Sequence, residues 1–145
     1  MKSIKNITAE ETYSIRKEVL RKGIDLPYEF NGDFDKDTFH LGAYKNGELV
    51  GVVSFMRVKC DSLKGNQYQL RGMATLSKAR GLGFGRLLIN TATNELKKKE
   101  VDFIWCNARE VALKFYENNG FKILGDSFEI DKVGTHFKMY KNLNL

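Results

Sequence analysis

Seven consecutive residues near the middle of the chain, Arg80-Gly81-Leu82-Gly83-Phe84-Gly85-Arg86, have the composition of an anion-binding loop. Glycine reaches φ > 0 and lets a ligand approach the backbone, and arginine adds charge-assisted hydrogen bonds to phosphate. The loop opens a segment in which Leu88, Ala92 and Leu96 recur at i, i+4 and i+8, the pattern of a helix with one buried face. The first-turn N–H groups of such a helix have no internal acceptor, and together with the helix dipole they favour a bound anion. Spacing excludes two common phosphate loops. A dinucleotide fingerprint needs a third glycine where Arg86 or Leu88 stands, and a Walker A loop needs Gly-Lys where Arg86-Leu87 stands. The pattern that remains is Arg80-x-x-Gly83-x-Gly85.

Neighbouring elements must position this loop. Segment 67–76 reads as a strand that delivers the chain into it. After the helix, segment 101–107 is a short, nearly continuous apolar run, as expected of a buried parallel strand, with Asn107 as a polar exception at its end. Upstream, residues 1–7 alternate as a first strand. Thr8-Ala9-Glu10-Glu11 fits a capping box, with Ile15 and Val19 on the buried face of the helix it starts and Gly23 as a stop after Arg21-Lys22. Segments 38–44 and 48–58 are β-rich runs joined by Lys45-Asn46-Gly47, a strong hairpin signal. A further helix is predicted over 110–119, with Ala112, Phe115 and Tyr116 on one face and Gly120 as its stop. Segments 121–128 and 134–140 then close the chain as two strands. The predicted order is strand, helix, three strands, helix, strand, helix, two strands. This is an α/β (α+β) chain with a mixed sheet of about seven strands and flanking helices in one domain, residues 1–145.

Between residues 24 and 37 the periodicity is lost. This stretch holds the only proline, Pro27, and places Tyr28, Phe30 and Phe34 among Asp25, Glu29, Asp33 and Asp35. Carboxylates attract an ammonium and aromatic faces hold it, so the loop could form a pocket for a cationic substrate. The aromatics could equally pin the loop to the core.

Composition narrows the classes. The hydrophobic share is 42% and the mean hydropathy −0.40, as in an ordinary globular chain, and no run approaches the ~20 apolar residues of a membrane span. Segment 1–7 is charged but lacks the apolar core of a signal peptide, so a cytoplasmic location is expected. Cys60 and Cys106 have no metal or disulfide spacing, and Cys106 reads as a small buried hydrophobe. The net charge of +6 favours acidic partners in general. Its basic residues are scattered, however, and the one run, Lys97-Lys98-Lys99, sits where cations offset a helix dipole. With neither zinc-finger spacing nor an aromatic RNA motif, a nucleic-acid partner is not expected, and no metal is.

The loop pattern, its place between the fourth strand and the following helix, and the order of elements together resemble the GNAT superfamily of acetyl-CoA-dependent N-acetyltransferases. Three strings strengthen the resemblance: Gln67-Tyr68-Gln69-Leu70-Arg71-Gly72-Met73-Ala74-Thr75, Trp105-Cys106-Asn107-Ala108-Arg109, and Phe115-Tyr116-Glu117-Asn118-Asn119-Gly120-Phe121. They are similar to a branch of small bacterial GNAT proteins, in which a proline often precedes the late histidine; Thr135 stands there in this chain.

The resemblance implies that strands four and five splay apart and that the pantetheine arm of acetyl-CoA lies in the gap like an added strand. Backbone groups of Met73, Ala74 and Thr75 would pair with it. The amides of Gly81, Leu82, Gly83, Phe84, Gly85 and Arg86, with the Arg80 and Arg86 side chains, would hold the pyrophosphate. Asn107 matches a pantetheine-contacting position; read from the residues alone, it could instead cap the next helix. Tyr116 matches the family's general acid, and a phenol of pKa ~10 can protonate a departing thiolate. A neutral histidine could serve as the base, and the chain has only His40 and His136. Glu48, Asp33 and Asp35 are weaker candidates. Neither cysteine has an activating context, which favours direct transfer over an acyl-cysteine.

The expected reaction is acetyl transfer to a primary amine, of a small molecule or alternatively of a peptide or protein. A noncatalytic acyl-CoA-binding or regulatory module is the main alternative, and a basic nucleic-acid-binding protein a lesser one. The resemblance also admits a homodimer, although no stripe of residues marks an interface.

Overall fold

The computed structural model describes residues 1–144 and arranges eight strands in one sheet. They are β1 (Lys2–Ile7), β2 (Phe39–Lys45), β3 (Glu48–Met56), β4 (Gln67–Thr75), β5 (Phe103–Arg109), β6 (Lys122–Ile123), β7 (Phe128–Ile130) and β8 (Gly134–Asn142). The order across the sheet is β1-β2-β3-β4-β5-β8-β6, with β7 also pairing β8. Every pairing is antiparallel except β4 with β5. The β2–β3 hairpin turns through Asn46 (φ 50°) and Gly47 (φ 84°), the doubly left-handed conformation for which Asn-Gly is selected.

Three α-helices flank the sheet: α1 (Ala9–Ile15), α2 (Phe84–Lys98) and α3 (Leu113–Asn118). The capping box at Thr8 forms, with Thr8 and Glu11 exchanging bonds of 2.9 and 3.2 Å. Helix α1 runs directly into a π-helical stretch, Arg16–Leu20. The period-2 alternation of β2 and β3 separates two apolar layers. Leu41, Ala43, Val53 and Phe55 pack with Leu88, Ala92 and Leu96 of α2, while Val52 and Ala74 pack with Ile15 of α1. The two helices therefore cover opposite faces.

Two expectations change in detail. Segment 121–128 is not one strand, since Leu124-Gly125-Asp126-Ser127 interrupts it and leaves two short strands on β8. Gly125 has φ +81° there, which breaks the extended run and raises the count to eight. The helix over 110–119 starts as a 3₁₀ turn, Glu110–Ala112, and is α-helical only from Leu113 to Asn118.

Two irregularities shape the middle of the sheet. Residues 67–69 of β4 pair with residues 103–105 of β5, and past Gln69 and Trp105 the parallel ladder stops. On its other edge β4 stays paired with β3, but with a bulge: Val52 faces Ala74 and Ser54 faces Arg71, so β4 carries one extra residue between these pairs. Gly72 sits in that bulge at φ +65°, and a Cβ there would lie 2.9 Å from the Phe30 ring and 3.2 Å from Arg16 Nε. The bulge bends β4 away from β5 and opens the gap between them.

Candidate active site

The gap opens into a cavity of about 570 Å³, within the range of small-molecule sites. Its walls come from both splayed strands (Gln69 to Met73 and Cys106 to Arg109), from Tyr116 of α3, from the loop after the π-helical stretch, and from Ile130, Val133 and His136.

The glycine loop lies at the end of β4. Gly81 and Gly83 have φ +77° and +87°, and no atom of the fold lies within 4 Å of a Cβ built on Gly81. Gly83 is the N-cap of α2. Among the described residues the amides of Gly81 through Arg86 donate to no backbone carbonyl, so these donors face outward at the positive end of a 15-residue helix. Arg80 and Arg86 are exposed beside them. This donor set fits a phosphate-bearing ligand. Gly85 has a different role from the other two. It is helical, and a Cβ there would lie 2.7 Å from the Phe115 ring, so its missing side chain lets α3 dock on α2. Phe84 is buried in the core and contributes only its backbone to the loop. One basic group was not foreseen: Lys2 Nζ hydrogen-bonds the Leu82 carbonyl and lies 5.2 Å from the Phe84 ring centre. It reaches the loop through the position of β1 in the sheet, which no local pattern encodes.

Met73, Ala74 and Thr75 lie beyond the last β4–β5 pair, so their edge toward β5 makes no ladder. Asn107 is exposed on β5, opposite Lys138 of β8, and lines the cavity. It caps no helix. The capping position of the next turn is Arg109, and Asn107 remains strand.

Tyr116 is buried, with its ring edge-on to Phe115 and Phe121 at 5.2 Å each. Burial, with Cys106 nearby, raises its pKa well above 10 despite Arg109, so the phenol keeps its proton across the working pH range. Its hydroxyl makes no hydrogen bond among the described residues. Cys106 shares the cavity wall, but burial pushes its thiol far up, the opposite of an activated nucleophile.

The structure treats the two histidines differently. His136 is buried on the cavity wall and its Nδ1 lies 2.8 Å from the Gly134 carbonyl. A carbonyl only accepts, so Nδ1 carries the proton and Nε2 keeps a lone pair. His40 is not brought to the cavity. Its Nε2 donates to the Asp33 carbonyl at 3.0 Å and its Nδ1 accepts from Ser54 Oγ at 2.6 Å. Both ring nitrogens are committed, which leaves His40 no lone pair for an acceptor. Glu48 pairs with Lys78 on the surface, Asp35 is exposed, and neither lines the cavity.

The loop of aromatics and carboxylates also differs from the ammonium pocket that its composition allows. Asp33 is buried and takes both Arg16 Nη atoms at 2.9 Å. Burial opposes its ionisation, but the Arg16 and Phe30 N–H bonds outweigh that and hold its carboxyl below the usual range. The Phe30 ring is occupied by the protein's own cations, with Arg16 at 3.9 Å, Arg71 at 4.3 Å and Arg21 at 5.6 Å. Phe34 points to solvent.

The structure thus combines a splayed parallel strand pair, a glycine loop after its first strand and a buried phenol across the gap. The sequence profile of the Acetyltransferase (GNAT) family matches residues 2–121. The chain is 37% identical to the uncharacterized N-acetyltransferase YitI of Bacillus subtilis over 145 residues, covering 99% of this chain and 97% of that protein. Among solved structures, a GNAT-family acetyltransferase from Staphylococcus aureus superposes with TM-score 0.76 at 22% identity, covering 99% of each chain. An aminoglycoside 6'-N-acetyltransferase, solved with coenzyme A, superposes with TM-score 0.71 at 16% identity, covering 97% of each. The chain belongs to the GNAT family of acetyltransferases and is an acyltransferase.

Proposed function

We propose that the protein transfers an acetyl group from acetyl-CoA to a primary amine of a small molecule by direct attack. The observation that carries this reading is the end of the β4–β5 ladder at Gln69 and Trp105, with the glycine loop at one end of the resulting gap and Tyr116 and His136 on its walls. The residues fit the cosubstrate. Outward amides from Gly81 to Arg86, with Arg80 and Arg86, suit the pyrophosphate, and the unpaired edge of Met73, Ala74 and Thr75, with Asn107, suits the pantetheine arm. The solved aminoglycoside acetyltransferase, which holds coenzyme A, supports the same reading.

Acetyl-CoA supplies an activated acetyl thioester. The chain's own residues then handle two protons. The Nε2 lone pair of His136 takes one from the acceptor ammonium, because only the neutral amine is a nucleophile. The Tyr116 hydroxyl, kept protonated by burial, holds the proton that the departing sulfur needs. The raised thiol pKa of Cys106 supports direct transfer rather than an acyl-cysteine.

The test has two arms. Acetyl-CoA at 100 times its Kd should stabilise the protein against thermal unfolding by ~2.7 kcal/mol, at fixed ionic strength and with ATP as control. With any acceptor that is turned over, Tyr116→Phe should lower kcat by about 100-fold or more while the protein keeps its melting temperature. An unchanged kcat would remove Tyr116 from the proton transfer, and stabilisation by acetyl-CoA with no acceptor turned over would turn the reading into a noncatalytic binding module.

A further inference from the structure

The geometry points to an acceptor that carries an oxyanion, a carboxylate or a phosphate, in addition to its amine, with Arg21, Arg71 and Arg109 as the groups that bind it. This inference rests on the transfer reading above and names the substrate class of that same site.

The three arginines line the cavity. They come from the end of the π-helical stretch, from β4 and from β5, and none has a carboxylate within ion-pair range among the described residues. Register puts Arg71 opposite Ser54, on the face that Ser54 shares with Arg16, and puts Arg109 opposite His136. A guanidinium has five donors, and here most are spare. Arg21 donates to the carbonyls of Pro27 and Leu20, and Arg109 to the carbonyl of Leu20. Arg71 makes no hydrogen bond among the described residues and rests on the Phe30 ring. The fourth arginine of the cluster, Arg16, is already matched by its two bonds to Asp33. Glu29 is the acidic group on the cavity wall, and it pairs with none of them.

Three guanidinium groups without a carboxylate stand beside one cavity; burial first, and then the neighbouring arginines, lower the proton affinity of Arg21 and Arg71. Such an arrangement repels a simple alkylammonium. It attracts an amine whose other end is anionic, since bidentate contacts to an oxyanion satisfy the spare donors and offset the mutual repulsion. The same positive field favours the neutral form of the bound amine, the form that attacks. The anionic end would sit toward Arg71 and the amine toward His136 and Tyr116.

The test uses three acceptor series of matched length: ω-amino acids, aminoalkyl phosphates and uncharged amino alcohols. Thiol release from acetyl-CoA is measured on the full chain. At least one anionic series should exceed its uncharged counterpart by tenfold or more in kcat/KM, and the two anionic arms identify which oxyanion is preferred. Arg71→Gln should reduce that anionic-to-neutral ratio by tenfold or more, mainly through KM, and Arg71→Lys should restore part of it. Arg21→Gln gives the same readout if the Arg71 variants fold poorly. Equal use of charged and uncharged acceptors, or a ratio unchanged in both Arg71→Gln and Arg21→Gln, would overturn the assignment. So would a protein that is stabilised by acetyl-CoA but acetylates none of the three series. If acetyl-CoA gives no stabilisation, the transfer reading itself fails, which is a separate outcome.

Discussion

On one side of the β4–β5 gap, the glycine loop offers main-chain amides that no backbone carbonyl among the described residues accepts. On the other, three arginines gather around one phenylalanine with Arg109 on the same cavity wall, and among the described residues only Arg16 of the four has a carboxylate. In the proposed function the first side would recognise its ligand through backbone, so its determinants are local: glycine where φ is positive, helix directly after. The second would recognise its ligand through side chains carried by the π-helical stretch, the loop after it, β4 and β5. A ligand shared by a whole family can be held by backbone geometry that tolerates changes elsewhere. A ligand particular to one member requires specific side chains, and the fold has to bring them together from a distance.

Breaking the acceptor side at its buried anchor should give the largest effect. Asp33→Asn leaves the guanidinium of Arg16 buried with its charge unmatched, and loss of one partner of a buried pair costs about 3–5 kcal/mol. Urea unfolding at pH 7 measures it. The same pair fixes a pH dependence. The folded pKa of Asp33 lies below its unfolded value of about 3.9, so the stabilisation is complete above that value and is lost as pH falls through the folded pKa. The gap between wild type and Asp33→Asn should therefore narrow below about pH 4. A constant gap down to acid pH would mean that the carboxylate charge contributes nothing to the fold.

A change on the cosubstrate side should separate stability from binding. Gly83 needs φ +87°, but a Cβ there meets nothing closer than Lys2 Nζ at 3.7 Å. Gly83→Val therefore strains the loop by roughly 1–2 kcal/mol without disturbing the core, and shifts the amides that point outward. The expected result is a folded protein that loses most of the ~2.7 kcal/mol of stabilisation by acetyl-CoA. Retained stabilisation would remove the loop from the binding site.

The contrast also explains what could be read before the fold was known. Helix α2, its buried face of Leu88, Ala92 and Leu96, the Thr8 capping box and the Asn46-Gly47 hairpin follow from short-range spacing, and each is present. The left-handed glycines at 81 and 83 were legible for the same reason. Gly85 looks identical in sequence, yet its role is to admit Phe115, a contact 30 residues away. Arg71 and Arg109 stand beside recognisable glycine and alanine positions, but nothing local says that both face the α1 side of the sheet. Gly72 held the one available signal. A glycine inside an otherwise regular strand marks a bulge, and this bulge opens the gap and lets Phe30 and Arg16 approach β4. His40 shows the opposite failure. Its residue type suggested chemistry, while its neighbours Ser54 and Asp33 close both nitrogens in a structural network.

The smallest expected effect sharpens the boundary between the two modes. Lys2 is exposed, bonds the Leu82 carbonyl and lies beside Gly83, so it adds a side-chain cation to a site otherwise built from backbone and two arginines. An exposed charge near a bound phosphate is worth only about 0.3–1 kcal/mol and is screened by salt. Lys2→Ala should therefore weaken acetyl-CoA binding by roughly two- to fivefold at low ionic strength. The difference from wild type should disappear as salt approaches 1 M, where the Debye length falls to about 3 Å. A salt-independent loss would have a different meaning. Lys2 would then act by holding the Leu82 carbonyl and setting the path of the loop, and the strand at the edge of the sheet would position the backbone amides rather than add charge to them.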